Sequence, residues 1–152
     1  EPQTRLNTVD AVVINGEISK SEYSDPTEFA MQLIGHQFYN LLDSNIKASA
    51  ADFKHQNIQA IAGIGKPARF FEHLNQLGLT FASVSFDDHH VYTAQDLAQM
   101  DCDVLIMTEK DAVKCKAFAQ AHHWVLPVHA SMDDGLMPLI LNKISSNKLA
   151  KR

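Results

Sequence analysis

Three apolar runs, "NIQAIAGIG" at 57–65, "DVLIMT" at 103–108 and "WVLPV" at 124–128, are too short for helices and too unbroken for strands with one wet face. Strands of that kind are covered on both faces, as in a parallel sheet. Turn residues and helical patterns separate them. Pro67 stands where a first helical turn tolerates a missing N–H, and Phe70, Phe71, Leu74 and Leu77 share one face of a helix that Gly78 ends. "LTFASVSF" at 79–86 is expected as a further strand, and Thr93 with Asp96 three residues on has the spacing of a capping box. A helix is expected over 109–121, with Ala112, Val113, Phe118 and Ala119 towards the sheet, and a terminal one over 134–146 with Pro138 at its entry or at a kink. Upstream, "DAVVIN" at 10–15 reads as a strand, 17–35 as a connecting segment and "GHQFYNLLD" at 35–43 as an edge strand. Parallel strands need crossover connections, so this order implies an α/β fold: a mainly parallel sheet with helices on both faces, a three-layer α/β/α sandwich. The 152 residues, 45% hydrophobic, suit a single domain over 1–152.

Charge and cysteine usage narrow the function classes. A net charge of -5 argues against a nucleic-acid surface, which needs clustered Lys and Arg. The one basic cluster, Lys148, Lys151 and Arg152, reads as a solvated tail. Cys102 and Cys115 fall in regular segments, so no disulfide framework is expected and a reducing cytosol is the default. No apolar run approaches the ~18 residues of a transmembrane helix. The first ten residues lack the basic and apolar regions of a signal peptide, and also an initiating Met, so the chain is expected to begin partway through a longer protein.

Ligands of parallel sheets bind beyond the carboxyl ends of the strands, which selects the loops 15–17, 63–67, 86–93 and 108–111. "GIGKP" at 63–67 is not a P-loop, and its glycines suit a tight turn against the following helix as well as a phosphate cradle. In "MTEKDAVK" at 107–114, Thr108 is expected to cap a helix whose dipole Glu109 and Asp111 complement. Lys110 is a cation in that same first turn, where it does not help the helix, and is expected to be aimed at a carboxylate or phosphate. "DDHH" at 87–90 leaves three readings open: a polar capping loop, proton transfer by a carboxylate–imidazole unit, or part of a metal site needing ligands from elsewhere. His122, His123 and His129 are expected at the surface; Trp124, Phe70, Phe71 and Phe118 in the core.

Five stretches in order, "VDAVVINGE", "IQAIAGIGKPARFFEHLNQLGL", "FDDHHVYTAQDL", "VLIMTEKDAVKCKAFA" and "WVLPV", together resemble the C-terminal half of the tetraacyldisaccharide 4'-kinases, the lipid A 4'-kinases of Gram-negative bacteria. The resemblance implies transfer of the ATP γ-phosphoryl group to the 4'-hydroxyl of a tetraacylated glucosamine disaccharide 1-phosphate at the cytoplasmic face of the inner membrane. It implies two α/β domains, with the P-loop, the membrane-binding helix and the main contacts to ATP and Mg²⁺ in an N-terminal domain that partners this one. This chain alone is then expected to be inactive. Asp88 and His89 match the family's Asp-His element, which makes them the expected catalytic pair, His89 helping to deprotonate the sugar hydroxyl or to organise the reacting groups. Thr108, Glu109, Lys110 and Asp111 match a second element, expected to contact substrate or nucleotide. No metal ligands are expected in this chain. Asp87 and His129 stand where the family often has other residues, so neither is expected to be catalytic. Two rival classes remain: a non-catalytic α/β binding or regulatory module, and an Asp-His-His phosphoesterase, whose upstream acidic ligands are missing here.

Overall fold

The computed structural model describes residues 3–16 and 27–149. Residues 17–26 of the expected connecting segment lie outside them, as do Lys151, Arg152 and the Lys148 side chain of the expected tail. The elements are β1 (Ala11–Asn15), β2 (Thr27–Ile34), β3 (Gln37–Asn40), β4 (Lys47–Ser49), β5 (Ile58–Ala62), α1 (Pro67–Gln76), β6 (Ala82–Ser85), α2 (Ala94–Ala98), β7 (Val104–Thr108), α3 (Glu109–Cys115), β8 (His123–Leu126), β9 (His129–Met132) and α4 (Leu136–Leu149), with short 3-10 turns between some of them. A single domain over 1–152 was expected; the described residues fall into two compact units, one drawn from within 1–34 and 129–149 and the other from 35–128.

In the first unit β2 pairs with β1 in parallel and with β9 in antiparallel fashion. β2 lies in the expected connecting segment; its sequence "TEFAMQLI" buries Phe29 while leaving neighbours partly exposed, so no unbroken apolar run announces it. β9, all exposed, was likewise not expected. Pro138 falls in the first turn of α4, where its missing N–H leaves no bond unmade. No helix among the described residues is long and apolar enough to cross a membrane.

The second unit holds a six-stranded sheet in the order β4-β3-β8-β7-β5-β6. β8, β7, β5 and β6 are parallel, and the antiparallel hairpin of β3 and β4 extends the β8 side. β3 is therefore an inner strand rather than the expected edge, because β4 covers it. Alternate residues of the parallel strands feed opposite cores. Ala60, Ala62, Val104, Ile106 and Leu126 pack with Phe70 and Leu74 of α1, whereas Ile61, Leu105, Met107 and Val125 pack with Leu97 of α2 and Ala112 and Cys115 of α3. Helices thus cover both faces, as expected of the α/β class, and each large side chain buried this way contributes roughly 1.5–3 kcal/mol before entropy is counted.

α3 is shorter than expected, ending at Cys115 before a 3-10 turn over Lys116–Phe118. Asp111, Ala112 and Cys115 point inward, which at helical spacing turns Val113 outward, 79% exposed against the expectation that it faces the sheet. His123 also departs from its expected surface position. It is completely buried on β8, its Nδ1 accepting the Gln120 N–H at 3.2 Å.

A candidate active site at the carboxyl edge of the parallel strands

Three loops leave the carboxyl ends of β5, β6 and β7 and meet: 63–66, 86–93 and the Thr108 cap of α3. The fourth loop expected there, 15–17, ends β1 in the other unit, and Glu17 lies outside the described residues.

Asp111 lies beneath the meeting point. Its carboxylate is fully buried and accepts from Thr108 Oγ1 at 2.7 Å and from the Gly63 N–H at 3.1 Å. Thr108 Oγ1 in turn accepts the Asp111 N–H at 3.2 Å, the N-cap bond expected from sequence. Lys114, one turn on, donates to Asp111 Oδ1 and to the Gly63 carbonyl, both at 3.4 Å, and sits over the Tyr92 ring. A Cβ at Gly63 would meet the Tyr92 hydroxyl at 2.8 Å and Asp111 Oδ1 at 3.2 Å, so glycine is required there by close approach, which fits the structural reading of "GIGKP". The Tyr92 hydroxyl is buried and has no hydrogen-bond partner among the described residues. Burial first, then the neighbouring Asp111 carboxylate, push its phenol well above the ordinary range and keep it neutral.

Asp88 and His89 sit above this base. Lys110 Nζ lies 3.1 Å from Asp88 Oδ1, so the unhelpful cation in the first turn of α3 is aimed at a carboxylate. The Lys110 hydrogen bond is the main reason the Asp88 carboxyl is held below its usual range. The His89 N–H donates to Asp88 Oδ1 at 3.1 Å, and its ring Nε2 stands 3.7 Å from Asp88 Oδ2. His89 occupies the left-handed region, with φ at 66°, and its side chain is 80% exposed. The backbone there is bent so that the ring projects outward while its own carboxylate neighbour stays tethered.

His90 faces the other way. Its ring stacks on Phe86 at 4.6 Å, meets Tyr92 edge-on at 4.9 Å, and with Nε2 protonated donates to Asp96 Oδ2 at 3.3 Å. That same carboxylate closes the expected capping box by accepting the Thr93 N–H and hydroxyl, bonds that with the His90 contact hold Asp96 below its ordinary range.

Of the residues expected to touch substrate, Lys110 and Glu109 have exposed side chains. Glu109 also accepts the Val128 N–H at 3.4 Å. Thr108 and Asp111 face inward and are buried, the Thr108 hydroxyl donating to the Asp111 carboxylate. Sequence reasoning gave no role to Tyr92 or Lys114. Only Lys114 left a signal, its i,i+3 spacing from Asp111. Among the described residues no three His, Cys, Asp or Glu side chains converge to hold a metal ion, and Asp87 does not join Asp88 and His89 in one.

The family described as "LpxK: Tetraacyldisaccharide-1-P 4'-kinase" matches residues 1–145. The tetraacyldisaccharide 4'-kinase of Dechloromonas aromatica is 40% identical over 151 residues, covering 99% of this chain and 45% of that protein. The enzyme of the same name from Methylobacillus flagellatus is 40% identical over 147 residues, covering 95% and 42%. This chain therefore spans a little under half the length of these relatives. In fold it is similar to the apo form of LpxK from Aquifex aeolicus solved in complex with ATP, with a TM-score of 0.64 at 20% identity over 93% of this chain and 45% of that one. With the family match running through both units and through every loop of the site, the chain belongs to the tetraacyldisaccharide 4'-kinase family.

Proposed function

We propose that this chain forms the C-terminal part of a two-domain kinase that moves the ATP γ-phosphoryl group to the 4'-hydroxyl of a tetraacylated glucosamine disaccharide 1-phosphate, a step of lipid A biosynthesis. On this reading an N-terminal P-loop domain cradles ATP and Mg²⁺ and works at the cytoplasmic face of the inner membrane. Phosphoryl transfer relies on positioning and on neutralising the developing charge, and the described residues offer no three-ligand metal cluster, so no metal-dependent step is derived from this chain. Because the chain spans a little under half the length of its relatives, it is on this reading inactive by itself.

The observation that carries the reading is the presentation of Asp88–His89 at the sheet's carboxyl edge in a chain of this family. His89 takes the proton of the attacking 4'-hydroxyl or orients that hydroxyl; Asp88, held as a carboxylate by Lys110, stands 3.7 Å from the ring Nε2 and orients it. Lys110 reaches Asp88 and Glu109 is exposed beside it at the start of α3, so on this reading these two side chains of the second element meet substrate.

The test is 4'-phosphorylation by the full-length kinase with His89→Ala at matched thermal stability. A fall in kcat of ~10² or more with little change in KM is expected of an acid–base group acting in the transition state. Near-normal turnover would leave "DDHH" a structural loop and overturn the assignment.

A further inference from the structure

We infer that Asp111 is a positioning residue of this site, acting on Asp88 and His89 without touching the reactants. The inference rests on the phosphoryl-transfer reading above. Asp111 is completely buried, so its carboxylate cannot meet a ligand at the surface. Its hydrogen-bond partners instead come from two of the three strand-end segments, Gly63 after β5 and Thr108 and Lys114 at the end of β7 and on α3, and the third is reached through Lys114, whose ammonium lies over Tyr92 of the loop after β6. The carboxylate and its lysine together therefore register three loops against each other.

The register matters because Lys110 is the residue immediately before Asp111. The Thr108–Asp111 cap fixes the direction of the first turn of α3, and that direction decides whether Lys110 Nζ reaches Asp88. The 63–66 loop is set by the same carboxylate and runs beside Asp88: a Cβ at Gly65 would lie 3.5 Å from Asp88 Oδ2. From the other side His90, wedged between Phe86 and Tyr92 and bonded to Asp96, anchors the residue next to His89. His89 is thus an exposed ring on a loop pinned at both flanks, with Asp111 supplying the pin under Lys110. A buried carboxylate that holds a site together in this way leaves its mark on turnover through His89, whereas one that only stabilises the fold does not.

A double-mutant cycle in the full-length kinase separates these cases. Asp111→Asn keeps an acceptor for Gly63 and Thr108 but loses the charge that holds Lys114. At matched thermal stability it is expected to lower kcat roughly 10–100-fold with KM within about 2-fold, the scale of a small misplacement of a reacting group. In the His89→Ala background the same change is expected to cost less than about 3-fold, because there is no ring left to position. A deficient His89→Ala enzyme on which Asp111→Asn still imposes its full factor overturns the positioning role and leaves the kinase reading intact. Normal turnover of His89→Ala alone takes His89 out of the chemistry and overturns this inference while the kinase reading stands; absence of 4'-phosphorylation by the parent enzyme defeats the kinase reading itself. Should Asp111→Asn fail to fold, Lys114→Met, which keeps the aliphatic stem but removes the ammonium bonded to Asp111 and to the Gly63 carbonyl, takes its place in the cycle: a loss present with His89 and absent in His89→Ala supports positioning through Asp111, and a fully multiplicative loss overturns it.

Discussion

Lys110 Nζ lies 3.1 Å from Asp88 Oδ1, joining the first turn of α3 to the loop after β6 across 22 residues of sequence. A lysine at that end of a helix faces the positive pole of the dipole, and the carboxylate opposite it offsets the penalty. Both side chains are about half exposed, so water screens the pair and its effect on stability is small. Its effect falls on Asp88 instead, which it holds ionised to lower pH than an ordinary carboxylate.

Lys110→Met is therefore expected to leave the thermal midpoint nearly unchanged while raising the titration midpoint of Asp88 towards the usual carboxylate range, followed by its side-chain carbon resonance. A depressed carboxyl pKa favours the folded state above the unfolded value and loses that contribution as pH falls through the folded one, so removing Lys110 moves the loss to higher pH. In the full-length kinase the acidic limb of the kcat profile is expected to move the same way. An unmoved Asp88 titration would mean that Lys110 is not what keeps it ionised.

Gly63 packs where any side chain would strike Tyr92 and Asp111. Gly63→Ala is expected to destabilise by about 1–3 kcal/mol, the usual cost of overpacking a filled interior. Tyr92→Phe removes the hydroxyl that the new methyl meets first, at 2.8 Å, and gives up no hydrogen bond seen among the described residues. Chemical denaturation of the double variant should therefore recover part of the loss. No recovery would place the strain at Asp111 instead.

The legible parts of this chain are those whose local pattern matches their surroundings. β5 and β7 read directly because a strand covered on both faces must be nearly all apolar, and the Thr93 and Thr108 caps read because a cap is decided within three residues. β4, three residues long with one buried side chain, and β9, with none, carry no such pattern, and their pairing partners set them. The site divides the same way. Asp88, His89 and Lys110 are exposed residues recognisable by type and spacing. The burial of Asp111 depends on Gly63, 48 residues away, and nothing near Asp111 in sequence announces it.

α3 allows a direct check of that division. The helical pattern alone put Val113 against the sheet, but the inward face is Asp111, Ala112 and Cys115. Val113→Ala is expected to change stability by no more than about 0.5 kcal/mol, as for an exposed position. Leu74→Ala on α1, where the side chain is completely buried, is expected to cost about 2–5 kcal/mol. Comparable losses at the two positions, measured by urea unfolding, would contradict the orientation of α3.

His123 supplies a second pH dependence, separate from that of Asp88. Its ring is buried on β8, Nδ1 accepts the Gln120 N–H, and the Nε2 proton of that neutral form has no partner among the described residues. Burial, with a smaller contribution from the adjacent His122, lowers its pKa to about 4 from an ordinary value near 6.5. The unfolded chain therefore takes up a proton below about pH 6.5 that the folded chain refuses until about pH 4. Because the unfolded state binds more protons across that window, stability rises with pH through it and is lost as the solution is acidified, by roughly 2–3 kcal/mol in all, levelling off once the folded ring also charges. His123→Asn keeps an acceptor near the Gln120 N–H and cannot titrate. Its unfolding free energy should start lower, from the volume it gives up, but vary less between pH 4 and 6.5 than that of the parent. Equal slopes in urea unfolding across that range would show that His123 already carries its proton in the folded state, and that the ring is not sealed from water as its burial on β8 requires.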